Sequence, residues 1–307
     1  MRILVTGASG MLGKNLLENL NYVDNEVTLF IRNKEKLSDF KRKDLFKKII
    51  IVQGDIRDFN ACKRNIRNVD VVIHLAARIG SSYSIKKPRD VCITNSCGTL
   101  NILEAMRVND IERIIFPSSI AVYGNNINAS EDEIDKISPL TPYDFSKFLS
   151  EQLCEMYSKC YGIKYLIFRF SHLYGKYQSE RHLISDLFNK VRKNNIVEIG
   201  NDVSRDFLNV KDAASLIIKF LNFSNSDIFN VGTGRETKIS EVIQLFSKIM
   251  NKKIKVSSNP SLSRDTKLER WRERANIRKI EGTGWKPSIN LEKGLEELVR
   301  WYDARGY

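Results

Sequence analysis

Residues 5–13 read V-T-G-A-S-G-M-L-G and complete the apolar opening R-I-L-V-T of the chain. Gly7, Gly10 and Gly13 let a chain that leaves a strand turn tightly, approach a pyrophosphate and enter a helix whose N-terminus attracts that charge. The spacing is G-x-x-G-x-x-G rather than G-x-G-x-x-G, so the place of the turn after the first strand carries the signal. Outward from it come the β-rich runs V-T-L-F-I, I-I-I-V-Q, V-D-V-V-I-H, R-I-I-F-P and Y-L-I-F-R-F, with helical patterns over 11–20, 59–66, 95–108 and 143–161. Continuous apolar strands separated by helices predict a parallel sheet covered on both faces. The fold class is therefore α/β, a Rossmann-type doubly wound sheet.

After about residue 171 the rhythm loosens into helices over 183–192, 239–250 and 291–302 and strands at I-V-E-I and D-I-F-N-V. These pieces predict a smaller C-terminal lobe sharing its core with the sheet. The expected division is 1–170 plus about 205–236 for the nucleotide-binding domain, and about 171–204 with 237–307 for the lobe.

A chain of 307 residues with 42% hydrophobic composition supports a sizeable core. The net charge of +13 comes from lysine and arginine spread along the whole chain, with no basic run interleaved with aromatics. That excludes the footprint of a nucleic-acid binder and fits a small phosphorylated ligand better. Five cysteines, Cys62, Cys92, Cys97, Cys154 and Cys160, form no C-x-x-C pair, so reduced thiols are expected rather than a zinc site or a disulfide framework. The start M-R-I-L-V-T-G runs straight into a strand without a signal segment, and no apolar run is long enough to span a bilayer. A cytoplasmic protein without a membrane partner is the expectation.

The second strand should end at the adenosine ribose of a dinucleotide, where an acidic residue favours NAD. Here Arg32 stands at that place, with Asn33 and Lys34 beside it, which favours the 2′-phosphate of NADP. Asp55 and Ile56 in Q-G-D-I-R-D follow the third strand, and Asp55 is placed to accept from an adenine amino group. Small Ala76 and Ala77 in H-L-A-A leave room for the middle of the cofactor. Tyr143 and Lys147 in P-Y-D-F-S-K share one helix face, and an ammonium beside a phenol favours the phenolate. Ser119, at the end of the fifth strand, can hydrogen-bond a reacting carbonyl or hydroxyl oxygen.

With these residues in order, the chain resembles the extended short-chain dehydrogenase/reductase family, in its nucleotide-sugar epimerase/dehydratase branch. The resemblance spans nearly the whole chain: V-T-G-A-S-G-M-L-G, G-D-I-R-D, H-L-A-A, N-S-C-G-T-L-N-I-L-E-A (95–105), S-S-I-A-V-Y-G, Y-D-F-S-K, R-D-F-L-N-V-K-D (205–212), F-N-V-G-T-G (229–234) and G-W-K-P (284–287). It implies that Tyr143 exchanges a sugar hydroxyl proton, that Lys147 also holds the nicotinamide ribose, and that Ser119, four residues before the tyrosine of V-Y-G, orients the oxygen. It further implies Ser9, Met11, Leu12, Leu75, Asn95 and Ser118 as cofactor contacts beside Gly7, Gly10, Gly13, Arg32, Asp55, Ile56, Ala76 and Ala77. Ser84, Ser119, His172 and Arg205 are the implied contacts to a nucleotide-diphosphate sugar, Arg205 on the diphosphate. A homodimer paired through the helices near 95–108 and 143–161 is implied as well.

Two departures narrow this picture. Sugar 4,6-dehydratases of the branch carry an acid/base pair just after the Ser/Thr, and Ile120 and Ala121 can neither take nor give a proton, so dehydration is disfavoured. His172 in R-F-S-H-L-Y-G stands where many sugar epimerases have Asn. The arginines 264, 270, 272 and 274 offer a further phosphate contact, with none singled out. Epimerisation through a transient 4-keto sugar and NADPH-dependent reduction of a 4-keto sugar remain the competing activities, and a non-catalytic NADP sensor would have no use for Tyr143 and Lys147.

Overall fold

The computed structural model describes residues 1–38, 40, 43–125, 137–180, 182–263 and 268–306. Its central sheet has seven strands: β1 (Arg2–Thr6), β2 (Glu26–Ile31), β3 (Ile49–Gln53), β4 (Val71–His74), β5 (Arg113–Ser119), β6 (Lys164–Phe170) and β7 (Asp227–Val231), in the spatial order β7-β6-β5-β4-β1-β2-β3. β1 pairs in parallel with β2 and β4, in the register Ile3↔Val27 and Ile3↔Val71, and β2 with β3 and β4 with β5 are parallel too. The order reverses between β1 and β4. In sheets of this kind the crevice for a ligand opens at the carboxyl ends flanking that reversal.

The strands are apolar throughout because both faces are covered. Leu4, Phe30, Val72, Ile114 and Ile167 pack on one side with Cys62 of α2 (Phe59–Asn65), Ile102, Leu103 and Met106 of α3 (Gly98–Val108) and Cys154 and Tyr157 of α4 (Pro142–Tyr161). Ile3, Val5 and Leu29, which the pleat points the other way, are as buried as Leu16 and Leu17 of the helix Met11–Asn19. The start of α4 is written into its sequence. Thr141 and Asp144 form a reciprocal capping box, Pro142 opens the first turn, and Gly162 ends the helix at φ 75°. That cap fixes Tyr143 as the second helical residue.

The chain divides into two compact units, the first comprising Met1–Val122, Pro139–Arg169 and Ala214–Phe229. The second comprises the described residues of Tyr123–Ser138, Phe170–Ala213 and Asn230–Tyr307. The segment returning to the first unit is thus shorter than the 205–236 read from sequence. The cause is pairing: Phe207–Asn209 runs parallel to His172–Tyr174, and Ser204–Arg205 runs antiparallel to Thr237–Lys238, which binds both stretches into the second unit. That unit is held by the apolar faces of Leu183–Lys193, Ile239–Ile249 and Leu291–Asp303, where Phe188 stacks on Tyr302 at 4.4 Å and meets Phe246 edge-on at 5.9 Å. Among the described residues no helix is long and apolar enough to cross a membrane.

The helix expected over 95–108 begins instead at Gly98, after a π-helical turn at Ile93–Cys97. Asn95 sits in that turn, and its carbonyl accepts from Thr99 Oγ1 (2.6 Å) and Ser150 Oγ (3.3 Å), which supports the wider backbone. The helices Ser81–Lys86 and Pro88–Cys92 are too short to carry a periodic pattern, and Val210–Lys219 is a further helix beyond those expected from the sequence.

Candidate active site

The glycine turn after β1 is closed by a hydrogen bond from Gly10 N to Gly7 O (2.9 Å). Gly7 has φ +67°, and a Cβ there would lie 2.5 Å from Ala76 N, so the H-L-A-A backbone can approach only because the side chain is missing. A Cβ on Gly13 would come within 2.5 Å of Ala8 Cα, which ties the helix tightly to the turn. Gly10 caps the helix Met11–Asn19 without any side-chain hydrogen bond, and its first turn holds no acidic residue. The N-terminal amides are therefore left to an anion, and the turn fits a dinucleotide pyrophosphate. Ser9, Met11, Leu12, Leu75, Ala76 and Ala77 are half-buried around it, while Ile56 is buried and packs close to Gly98.

At the expected adenosine end, Arg32 Nη1 lies 3.8 Å from Asp55 Oδ2. The Asp55 carboxylate, however, is gripped by Arg57, with Nη2 to Oδ2 at 2.6 Å and Nε at 3.1 Å from both oxygens. Burial opposes ionisation of Asp55, but hydrogen bonds from Arg57 and the charges of Arg57 and Arg32 outweigh it and hold the carboxyl below its usual range. Asp55 is thus an arginine partner in this structure, and its carboxylate keeps acceptor sites beyond those Arg57 fills.

The catalytic candidates converge on the ends of β5 and α4. Lys147 is buried and donates to Pro117 O (2.7 Å), with its Nζ 4.7 Å from the centre of the Phe116 ring. Helix and strand run in opposite senses, since Lys164 N just beyond α4 donates to Glu112 O just before β5 (2.6 Å). Tyr143 lies one turn of about 6 Å above Lys147, and Ser119 two strand residues of about 6.6 Å above Pro117. Both residues thus lie toward the carboxyl edge of the sheet from the Lys147 bond. Both are half-buried, and Ser119 Oγ accepts from Ala121 N (3.2 Å) while keeping its own proton to donate. Burial lowers the Lys147 ammonium to about 8, against the opposing charge of Glu151.

Three further residues have internal partners. Ser118 is buried and donates its hydroxyl to Glu151 Oε1. Asn95 accepts from Arg78 N (2.7 Å) and donates to Arg78 O and Ser146 Oγ (both 2.9 Å), which uses both of its amide protons. It positions the chain after β4. Ser84 is buried and returns its hydroxyl proton to Ser81 O (2.7 Å), a helix-internal bond.

In the second unit His172 is half-buried with its ring edge-on to Phe207 at 5.4 Å, and burial pushes its imidazole down to about 4, so it is neutral at pH 7. Arg205 is buried between carboxylates, its Nε 2.7 Å from Glu273 Oε2 and its Nη2 3.1 Å from Glu269 Oε1. Of the arginines in the 264–274 run, Arg270 lies beside Glu273 (3.5 Å), Arg272 pairs with Glu236 (2.8 Å) and Arg274 is exposed. Arg264 falls outside the described residues.

Residues 3–232 match the model of the NAD dependent epimerase/dehydratase family. The chain belongs to that family. A Methanocaldococcus jannaschii member, whose name of UDP-glucose 4-epimerase is provisional, is 36% identical over 306 residues that cover 97% of each chain. The UDP-glucose 4-epimerase of Thermotoga maritima, solved with UDP-glucose, superposes with a TM-score of 0.89 at 25% identity and covers both chains fully. The Thermus thermophilus UDP-glucose 4-epimerase, solved with NAD, superposes at 0.86 with 25% identity and 99% coverage of both. The family's doubly wound fold and its nicotinamide cofactor thus apply to this chain.

Membership of the epimerase/dehydratase family leaves some site residues that the motifs alone do not single out. His74 is buried in β4, with Nδ1 2.8 Å from Thr6 Oγ1 and Nε2 3.1 Å from Thr99 Oγ1, and Thr6 Oγ1 also accepts from Ala76 N (3.1 Å). Burial, and then the charge of Lys147, lower its imidazole to about 3, so a neutral ring joins β1, β4 and α3 below the glycine turn. Thr6 and His74 are register partners, and a polar pair ending two apolar strands is a signal visible in sequence. Glu151 continues the Tyr143, Lys147 spacing by one more turn, and Arg169 interrupts the apolar run Y-L-I-F-R-F. The two form a buried pair with Nη2 to Oε2 at 2.7 Å.

Proposed function

We propose that this enzyme is a nucleotide-diphosphate-sugar 4-epimerase that works through a transient 4-keto sugar. The observation carrying this reading is at the end of β5, where Ser119 is followed by buried Ile120 and Ala121 (1% and 2% exposed). Those side chains supply no acid or base, so elimination of water has no proton route while exchange at one hydroxyl does. The Tyr143 oxygen takes the proton from the C4 hydroxyl as the carbon is oxidised and returns it as the carbon is reduced on its other face. Lys147, cationic below about pH 8, favours the phenolate that takes the proton. Ser119 holds the reacting oxygen by hydrogen bond through both halves of the reaction. When bound, the nicotinamide cofactor accepts the hydride from the sugar carbon and gives it back.

Purified protein should interconvert UDP-glucose and UDP-galactose, or a similar pair, with no net absorbance change at 340 nm. Stoichiometric NADPH consumption with a 4-keto sugar would instead establish the reductase. The pH profile offers a second check. Because Lys147 is charged below about 8 and neutral above it, kcat/KM should fall as pH rises through that value. The Lys147→Arg variant, if active, should lose that alkaline limb, and a limb left in place would remove Lys147 from its role.

On the same reading the cofactor is NADP in preference to NAD, supported by Arg32 and the lack of an acid at the end of β2. The Arg32→Ala variant should weaken NADP binding by about ten- to a hundredfold, the value of a charge-assisted hydrogen bond, and leave NAD unchanged. Equal loss of both cofactors by titration calorimetry would contradict it. A homodimer belongs to the same proposal, supported by the exposed apolar side chains of Leu100 on α3 and of Phe145, Leu149 and Met156 on α4. A monomer by sedimentation velocity would overturn that part. A reducing, cytoplasmic setting is supported by five cysteines that are all free; fewer than five titratable thiols in unreduced, denatured protein would count against it.

A further inference from the structure

The guanidinium of Arg205 is already spoken for. Its Nη1 donates to Ser204 O (2.8 Å) and Arg270 O (2.6 Å), its Nη2 to Glu269 Oε1 (3.1 Å), and its Nε lies 2.7 Å from Glu273 Oε2. Guanidinium has five N–H donors: three are spent in these hydrogen bonds, and the Glu273 carboxylate stands 2.7 Å from the Nε edge that a ligand would otherwise reach. Both carboxylates are buried, at 5% and 6% exposure, and neither is a loose surface partner. They are carried by a segment clipped to the Arg205 strand: Ser204 N donates to Trp271 O (2.9 Å), and Ala275 N to Asp206 Oδ2 (3.3 Å). Asn125 Nδ2 adds a bond to Glu269 O (2.7 Å).

The charge balance is as telling as the geometry. Arg205 and Arg270 face Glu269 and Glu273, two cations against two anions, so the cluster presents no net attraction to a diphosphate. Bidentate capture of a phosphate by Arg205 needs the carboxylates to let go first. We propose that Glu269 and Glu273 set the affinity of this enzyme for the diphosphate of its substrate by occupying Arg205 until the ligand displaces them. The proposal rests on the nucleotide-sugar reading above. Apparent affinity is then the intrinsic affinity scaled by the fraction of molecules in which Arg205 is released.

Replacing either carboxylate by an amide keeps the shape and an acceptor but removes the competing charge. Glu273→Gln, and separately Glu269→Gln, should tighten UDP binding by about tenfold in titration calorimetry, as expected when a tenth or less of the molecules are released in the wild type. KM for the nucleotide sugar should fall in step while kcat does not rise. A purely structural role predicts the opposite sign, since a damaged site binds more weakly. Unchanged or weaker UDP binding by a variant with a native circular dichroism spectrum overturns the proposal. Hydrogen exchange of wild-type protein gives an independent reading: saturating UDP should speed exchange of the Ser204 amide, and unchanged or slower exchange overturns it too. Wild-type protein that binds none of UDP, ADP, GDP and dTDP would instead sink the nucleotide-sugar reading itself.

Discussion

Tyr143→Phe should abolish sugar turnover, by roughly 10²- to 10⁴-fold in kcat, while nicotinamide cofactor binding stays near that of the wild type. The substitution removes one oxygen and leaves the ring. The helix start depends on Thr141, Pro142 and Asp144 rather than on the phenol. Lys147 remains anchored to Pro117 O, and the glycine turn that fits the pyrophosphate lies on a different strand. A pure loss in kcat identifies a group acting on the reacting proton, whereas a matching loss of cofactor affinity points to a binding role. Calorimetry with the dinucleotide beside a coupled epimerase assay separates the two, and retained turnover would refute the assignment of Tyr143.

The sheet and the places of Tyr143, Lys147 and Ser119 were legible because local rules govern them. Apolar runs of strand length, a glycine turn between strand and helix, and a Thr-Pro-Tyr-Asp cap all act within a few residues. Hydrogen-bond partners obey no such rule. The place of Asp55 at a strand end does not disclose that Arg57, two residues on, contacts both of its oxygens. Ser118 and Ser119 are neighbours, and only the pleat decides that Ser118 turns inward to Glu151. Arg205 meets Glu269 across 64 residues of chain, a pairing that follows from the packing of the second unit and from no spacing in the sequence. The late start of the first unit's return segment, at Ala214, has the same origin, since two short strand pairs capture 204–209.

The Glu151→Ala variant should cost about 3–5 kcal/mol of stability, the typical result of leaving one member of a buried ion pair without its partner. Arg169 and Glu151 have side chains only 4% and 0% exposed, and the Arg169 guanidinium donates to both carboxylate oxygens. Without Glu151 the buried arginine keeps its charge and loses this carboxylate, and the Ser118 hydroxyl loses its acceptor as well. The mid-point of urea unfolding at constant slope measures the loss. Replacing both members, as Glu151→Met with Arg169→Met, should recover most of it, because no buried charge is then left unpaired. The single variant should also move the chemistry. Glu151 opposes the effect of burial on Lys147, so its removal drives the ammonium pKa further down and shifts the alkaline limb of kcat/KM to lower pH. A loss below about 1 kcal/mol, the range of exposed pairs, would show that the pair is not the buried support of the catalytic lysine.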